Sequence, residues 1–304
     1  MDRRRLLFIV NPHSGRAMIK YRALDAIETF SAAGYLVTVC PTTRAGEAAE
    51  LVAKMAADYD RIVVSGGDGT VNEAVNGLMS LPRKVPLGIM PAGTTNDYAY
   101  TLGIPTLLAD AAKTAVSENL FDIDLGLFNS RYFTYIAAFG LFTEVTYETP
   151  QDLKNVLGYV AYALEGAKKI LDINTYKIKV EHDGETLEDE FIIGLVSNTV
   201  SVAGLRTAMT GALLDDGLLE ITLVRSPKTL SDIQAIINIL LDLENMSTIE
   251  SDFLTHFSTK RAVFTSEEEI KWTVDGESGG ALRRAEIAAA PLAATVVTGE
   301  KFIK

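Results

Sequence analysis

RIVVSGGDGTVNEAVN, residues 61–76, passes from strand chemistry to helix chemistry across a loop that holds three glycines. Ile62, Val63 and Val64 form a short β-branched apolar run, the mark of a buried strand. Thr70 with Glu73 three residues later matches a capping box and predicts a helix start. Gly66, Gly67 and Gly69 fill the turn between them. Without Cβ atoms they can take positive φ and bring the backbone close to an anion, at which the N–H groups of the first helical turn point. Asp68 sharpens the pattern. A carboxylate among phosphates is repelled unless a divalent cation lies between them, so its place points to a metal-bridged triphosphate. An ordinary tight strand-to-helix turn answers the same residues, and the rest of the chain decides between the two.

Outward from this stretch the pattern repeats. Residues 6–10 read as a first buried strand, followed by Asn11, Pro12, His13, Ser14 and Gly15 and then by Leu24, Ile27 and Phe30 at helical spacing. Residues 35–40 are a second strand, leading past Pro41 into Thr42 and Thr43, and residues 46–58 are an Ala-rich helix. Residues 86–90 are a fourth strand, and PAGTTND (91–97) is a third glycine turn opening a helix. Three such turns after three strands of a parallel sheet lie along one edge, where ligands commonly bind.

Composition narrows the classes. The chain has 304 residues, 48% hydrophobic and 22% charged, enough for one large or two ordinary domains. The net charge of −12, with no basic run beyond Arg3, Arg4 and Arg5, excludes a nucleic-acid footprint and tight electrostatic adhesion to anionic lipid. Membrane contact is expected to be peripheral and transient. No apolar run reaches the roughly 18 residues of a spanning helix, and MDRRR passes straight into LLFIV without a cleavage site, so the expected location is cytoplasmic. The single cysteine, Cys40, is expected to be a buried thiol. His13, His182 and His256 are far apart, which leaves no zinc spacing.

Beyond Ile104-Pro105 comes a helix to about residue 117 and then FDIDLG (121–126). Strands follow at 132–138, 176–181, 191–197, 218–224, 261–265 and 270–274, with HDGET (182–186) as a hairpin turn. This predicts a second, mainly antiparallel domain, interrupted by helices at 153–171 and 229–243. The apolar face of Ile233, Ile236, Ile237 and Leu240 suits packing on the sheet, resting on a membrane or lining a lipid cleft. LLDDGLL (213–219) is either a solvated turn or a hard-cation site. WTVDGESGG (272–280) sets Asp275 and Glu277 about a glycine, as a hairpin turn or as two carboxylates reaching one space.

Taken in order, NPHSG, GGDGT, PAGTTND, DDGLL and DGE resemble the diacylglycerol kinase catalytic family, in its soluble bacterial lipid-kinase branch. The resemblance covers essentially the whole chain. GGDGT alone is also found in NAD kinases and phosphofructokinases. The resemblance implies an α/β fold: a nucleotide-binding α/β domain like those kinases (residues 1–126), and a β-sandwich-like, lipid-binding domain (127–304) whose carboxy-terminal segment can return to the first. It implies that Asn11, Pro12, His13, Ser14, Gly15, Gly66, Gly67, Asp68, Gly69, Thr70, Val71, Asn72 and Thr94 line an ATP site, together with Thr42 at the end of the second strand. Glu277 is implied as the base for a lipid hydroxyl. Asp275, Asp68, Asp97 and Asp124 are implied as organisers of catalytic Mg2+. A structural Mg2+ is implied at Asp216 and the carbonyls of Leu213 and Leu218, although Leu213 stands where some relatives have lysine. The expected activity is phosphorylation of a lipid hydroxyl, that of diacylglycerol, at the membrane surface, and a homodimer is compatible with it. Two rivals remain: an NAD kinase, which leaves NPHSG and DGE unexplained, and a non-catalytic nucleotide- or lipid-sensing protein.

Overall fold

The computed structural model describes residues 3–14, 19–94, 96–141, 143, 174–198, 213–241, 251–300 and 302. Its contacts divide the chain into two units, Met1–Leu125 with Pro291–Lys304, and Gly126–Ala290.

The first unit is built on a parallel sheet ordered β2 (Tyr35–Pro41), β1 (Arg4–Val10), β3 (Arg61–Gly66) and β4 (Leu87–Pro91), with the end of β13 (Glu277–Val297) pairing β4 at Val296↔Leu87. Leu6, Leu7, Phe8 and Ile9 of β1 and Ile62, Val63 and Val64 of β3 are all fully buried. Such unbroken apolar runs are what a sheet covered on both faces requires, and each large side chain contributes roughly 1.5–3 kcal/mol through burial. The helices are α1 (Ile19–Ala32), α2 (Glu47–Met55), α3 (Asp68–Leu78), α4 (Asp97–Thr101) and α5 (Leu108–Ala115). Helix α1 packs on α5, and α2 on α3.

That second packing overturns the predicted capping box. Helix α3 starts at Asp68, with Gly67 at its N-cap and no side-chain cap. Glu73 instead accepts from the N–H groups of Gly46 (2.8 Å) and Ala48 (3.1 Å), so it caps α2, whose own N-cap is a glycine without a side chain to do so. Tertiary proximity won over local spacing.

In the second unit, β7 (Ile136–Gly140) and β8 (Tyr176–His182) each pair with both β9 (Glu185–Ser197) and β12 (Arg261–Val274), closing a ring of strands. Strands β10 (Leu219–Arg225) and β11 (Leu254–Thr259) extend it from β9, and β13 pairs β12. Trp272 lies at the core, with the rings of Phe139, Phe128 and Phe264 at 4.8, 5.2 and 5.3 Å. Two hairpins turn on Asp-Gly: Asp183–Gly184 (φ 47° and 84°) and Asp275–Gly276 (φ 47° and 80°). Positive φ at both central residues is the type I′ geometry.

Three expectations change. The predicted strand at 132–138 is split into β6 (Arg131–Phe133) and β7, because the N–H groups between them serve Asp275 rather than a ladder. The two strands at 261–265 and 270–274 are one strand, β12, with a register shift between Thr265 and Ile270. Helix α6 (Leu230–Leu241) buries Ile233, Ile236 and Ile237, which agrees with packing and not with an exposed face resting on a membrane. The side chain of Leu240, residues 242–243 and the predicted helix at 153–171 lie outside the described residues. Among the described residues no helix is long and apolar enough to cross a membrane.

Candidate active site

The chain order β1, β2, β3 places β2 on one side of β1 and β3 on the other, so the connections leave in opposite directions between β1 and β3. That is a topological switch point, the place where open α/β sheets take ligands beyond the carboxyl ends of their strands. Backbone hydrogen bonds carry the sheet one step past those ends: Asn11 N–H to Ser65 O, Thr42 N–H to Val10 O and Ala92 N–H to Gly66 O, each 2.8 Å. The three glycine turns and Thr42 are thereby brought side by side.

Side chains then tie the turns together. Asn11 Nδ2 donates to Thr70 Oγ1 at 3.0 Å, while its Oδ1 accepts from His13 N–H at 3.0 Å. Gly67 and Gly93 face one another so closely that a Cβ on Gly93 would lie 2.5 Å from Gly67 Cα. The expectation of positive φ fails here. Gly67 has φ −87° and ψ −177°, and Gly66 and Gly69 are not among the positive-φ residues either. What demands glycine is close approach of two backbones. Gly66 has the same reason, since its Cβ would meet Thr70 at 2.4 Å. Asn96, with φ 56°, closes the PAGTTND turn by accepting from Gly93 N–H (2.8 Å) and donating to Gly93 O (2.9 Å). Its role was missed in the sequence, although asparagine's tolerance of left-handed backbone is the available signal.

Asp68 bridges two of these turns. Its Oδ1 accepts from Tyr98 N–H at 3.2 Å in the first turn of α4, with Asp97 and Asn96 N–H groups adding to it. Burial pushes its carboxyl above the usual range, against the pull of those donors. Asp97 is buried at the start of α4, Val71 and Asn72 are buried on α3, and Thr94 is exposed. Pro12 and Ser14 are half-buried and His13 is exposed; Gly15 lies outside the described residues. The α3 amino terminus has no side-chain cap, and Ser65 Oγ, fully buried at the end of β3, has no partner among the described residues. A helix start without a side-chain cap, closely approaching glycine turns and an unsatisfied hydroxyl are what a polyphosphate fits.

In the second unit the DGE residues form the tip of the β12–β13 hairpin, so the hairpin-turn reading of that stretch is correct. Asp275 is nonetheless buried. Its two carboxylate oxygens accept from Thr134 N–H (2.7 Å), Thr134 Oγ1 (2.8 Å), Tyr135 N–H (3.1 Å) and Ile136 N–H (3.0 Å). A carboxylate has about four lone-pair sites, and four donors occupy them, so this carboxylate anchors the hairpin and has little capacity left for a metal. Burial pushes its carboxyl up, and the hydrogen bonds pull it down. Glu277 is half-exposed and pairs with Arg131 at 2.6 Å. Asp124, in the first unit, accepts from Leu292 N–H at 2.6 Å and holds that residue's left-handed backbone (φ 48°). Asp216 Oδ1 accepts from Leu218 N–H at 2.9 Å, closing the DDG turn on the positive-φ Gly217, while Leu213 is exposed. Among the described residues no three His, Cys, Asp or Glu side chains gather as a metal cage. Mg2+ carried on a nucleotide needs no such cage, since it keeps several waters and takes one or two carboxylates beside the phosphates. Cys40 is half-buried rather than buried, and desolvation pushes its thiol up, away from nucleophilic thiolate.

Comparison with known proteins agrees with both units. The model of the diacylglycerol kinase catalytic domain matches residues 5–128, and that of the YegS C-terminal NAD kinase beta sandwich-like domain matches residues 138–298. A diacylglycerol kinase of Bacillus subtilis (strain 168) is 35% identical over 285 residues, covering 93% of this chain and 92% of that protein. One from Staphylococcus carnosus (strain TM300) is 32% identical over 281 residues, covering 92% and 90%. The crystal structure of a diacylglycerol kinase from Bacillus anthracis str. Sterne covers 100% of both chains at 26% identity, with a TM-score of 0.77. The glycine turns at the switch point, the β-rich second unit and these likenesses agree, and the chain belongs to the diacylglycerol kinase catalytic-domain family.

Proposed function

We propose that this lipid kinase transfers the γ-phosphate of ATP to the hydroxyl of diacylglycerol, giving phosphatidic acid. The observation that carries the reading is the convergence of NPHSG, GGDGT and PAGTTND on the β1/β3 switch point, tied by the Asn11–Thr70 bond and the Gly67/Gly93 approach. In phosphoryl transfer a protein mainly positions phosphate and neutralises charge, and N–H groups at a helix start serve both. Glu277 takes the hydroxyl proton as the oxygen–phosphorus bond forms and the bond from the γ-phosphorus to ADP breaks. Bound Mg2+ would supply neutralisation of the phosphate charge. Of the acidic residues, Asp68 and Asp97 stand at the glycine turns as candidates to hold it. Asp216, with the carbonyls of Leu213 and Leu218, is proposed as a separate structural Mg2+ turn. The enzyme works in the cytoplasm and meets its lipid by transient contact with the membrane surface.

The test is transfer of labelled γ-phosphate with diacylglycerol in mixed micelles, with NAD, and without acceptor, each for the native protein and Glu277→Gln. Label in phosphatidic acid, lowered about 10²-fold or more by Glu277→Gln, is the expected result. Label in NAD would favour an NAD kinase, and no transfer would favour a nucleotide- or lipid-sensing protein.

A further inference from the structure

Glu277 follows the type I′ turn as the first residue of β13, with its side chain 51% exposed. An exposed glutamate samples many rotamers, and a general base must lie within hydrogen-bond reach of one proton. Neither its strand nor its turn fixes it. Its carboxylate has one described partner, the guanidinium of Arg131, whose Nη2 lies 2.6 Å from Oε2, while Oε1 has none among the described residues.

The place of Arg131 is set by the same hairpin that carries Glu277. On one side, Asn129 N–H donates to Glu286 O (2.8 Å) and Asn129 Oδ1 accepts from Glu286 N–H (2.9 Å), fixing the turn between β5 (Leu120–Phe128) and β6 to β13. On the other, the buried Asp275 carboxylate holds Thr134, Tyr135 and Ile136, and Asp275 N–H donates to Ile136 O (2.8 Å). Strand β6 is thus clamped at both ends to the β12–β13 hairpin, with Arg131 between the clamps. An ion pair this exposed adds little to stability. What the clamps fix is direction.

We propose that Arg131 is a positioning residue for Glu277: it holds Oε2, keeps the carboxylate in one orientation, and leaves Oε1 to receive the proton of the lipid hydroxyl. This rests on the proposed role of Glu277 as base. The contact is a single charge-assisted bond, Nη2 to Oε2, so the hold on the carboxylate comes from that bond and from the clamped strand behind it.

The experiment is steady-state kinetics on the full chain carrying Arg131→Met, Arg131→Lys, Glu277→Gln and the double variant Arg131→Met/Glu277→Gln. Arg131→Met is expected to lower kcat on the order of tenfold, the scale of a modest misplacement of a catalytic group, with KM for ATP unchanged. Arg131→Lys is expected to recover part of that loss. In the Glu277→Gln background Arg131→Met is expected to do nothing further, because residues acting through one another do not add. Equal losses from Arg131→Met in both backgrounds would assign it a merely structural role and overturn the inference. Full kcat in Arg131→Met beside an inactive Glu277→Gln would overturn it too, leaving the base intact. A Glu277→Gln variant as fast as the native protein would remove the base and the inference together. Should Arg131→Met fail to fold, the lysine variant, which keeps the charge and most of the volume, carries the same comparison.

Discussion

Asn11 and Thr70 stand 59 residues apart in sequence and 3.0 Å apart at their side-chain tips, joining the turn after β1 to the first turn of α3. Asn11→Ala removes that bond and the Oδ1 acceptor of His13 N–H. The cost to stability is expected to be about 1 kcal/mol, the ordinary net worth of a hydrogen bond. KM for ATP is expected to rise roughly tenfold, the equivalent of about 1.4 kcal/mol of lost binding. Kinetics and urea melts together check it, and an unchanged KM would mean that the two turns hold nucleotide independently.

The facing glycines give a ranking. A Cβ at Gly93 would sit 2.5 Å from Gly67 Cα and 2.9 Å from Asn96 Oδ1, whereas one at Gly67 would sit 3.2 Å from Gly93 Cα. Gly93→Ala therefore forces backbone apart, at about 1–3 kcal/mol, while Gly67→Ala asks a few tenths of an ångström. Calorimetric titration with ATP should show the larger loss in Gly93→Ala, and the reverse order would contradict the geometry.

Asp275→Asn keeps the volume but turns an amide N–H₂ toward backbone N–H groups in a buried site. Losing charged hydrogen bonds and stranding their donors is expected to lower unfolding free energy by about 3 kcal/mol. The loss should be the same in excess chelator as in Mg2+, because the partners of this carboxylate are N–H and O–H groups. A loss that appears only with Mg2+ present would instead make Asp275 a ligand.

At the DDG turn the opposite dependence is expected. A cation bound only by the folded state stabilises it by about 2.7 kcal/mol at a free concentration 100 times the dissociation constant. Nucleotide-free protein should melt higher in Mg2+, and Asp216→Asn should lose most of that rise. Equal shifts in the two proteins would return this stretch to a solvated turn closed by Leu218 N–H.

Glu220 predicts an acid-side slope. His256 Nε2 at 3.1 Å, and then Ser258 Oγ at 2.8 and 2.9 Å, hold its carboxyl below the usual carboxylate range, against burial. A lowered folded-state value means that the unfolded chain takes up the proton first as pH falls. The stabilisation is therefore complete above the unfolded value of about 4.3 and is lost as pH drops through the folded one. Melts between pH 7 and pH 3 should fall less steeply for Glu220→Gln than for the native protein.

The first unit was legible because its signals are local. Buried apolar runs of four or five residues, glycine turns and Ala-rich helices each announce themselves within a dozen residues, while the strand order is seen only in the structure. Both Asp-Gly hairpins were readable for the same reason, since positive φ at two successive residues selects few residue types. What could not be read is what sequence distance hides. Glu73 caps a helix that begins 26 residues before it, and Arg131 meets Glu277 across 146 residues. The DGE stretch stood out in the sequence as a pair of carboxylates about a glycine, but only burial shows that its aspartate is an anchor while its glutamate is half-exposed. Strand β13 was missed altogether: much of it is alanine, which carries no period-2 contrast and favours helix when read alone.

The same strand has a consequence for synthesis. Leu87 on β4 is paired by Val296, Phe121 is covered by Phe302 at 4.9 Å, and Thr298 and Gly299 bond back to Asn119 and Leu102. All these closing residues are translated after the whole of Gly126–Ala290. At about 5–20 residues per second, the nascent first unit waits on the order of ten seconds or more on the ribosome with the outer edge of β4 unpaired. An open strand edge is a template for wrong partners. Until Val296 and its neighbours emerge, that exposed edge is where the nascent chain is open to wrong pairing.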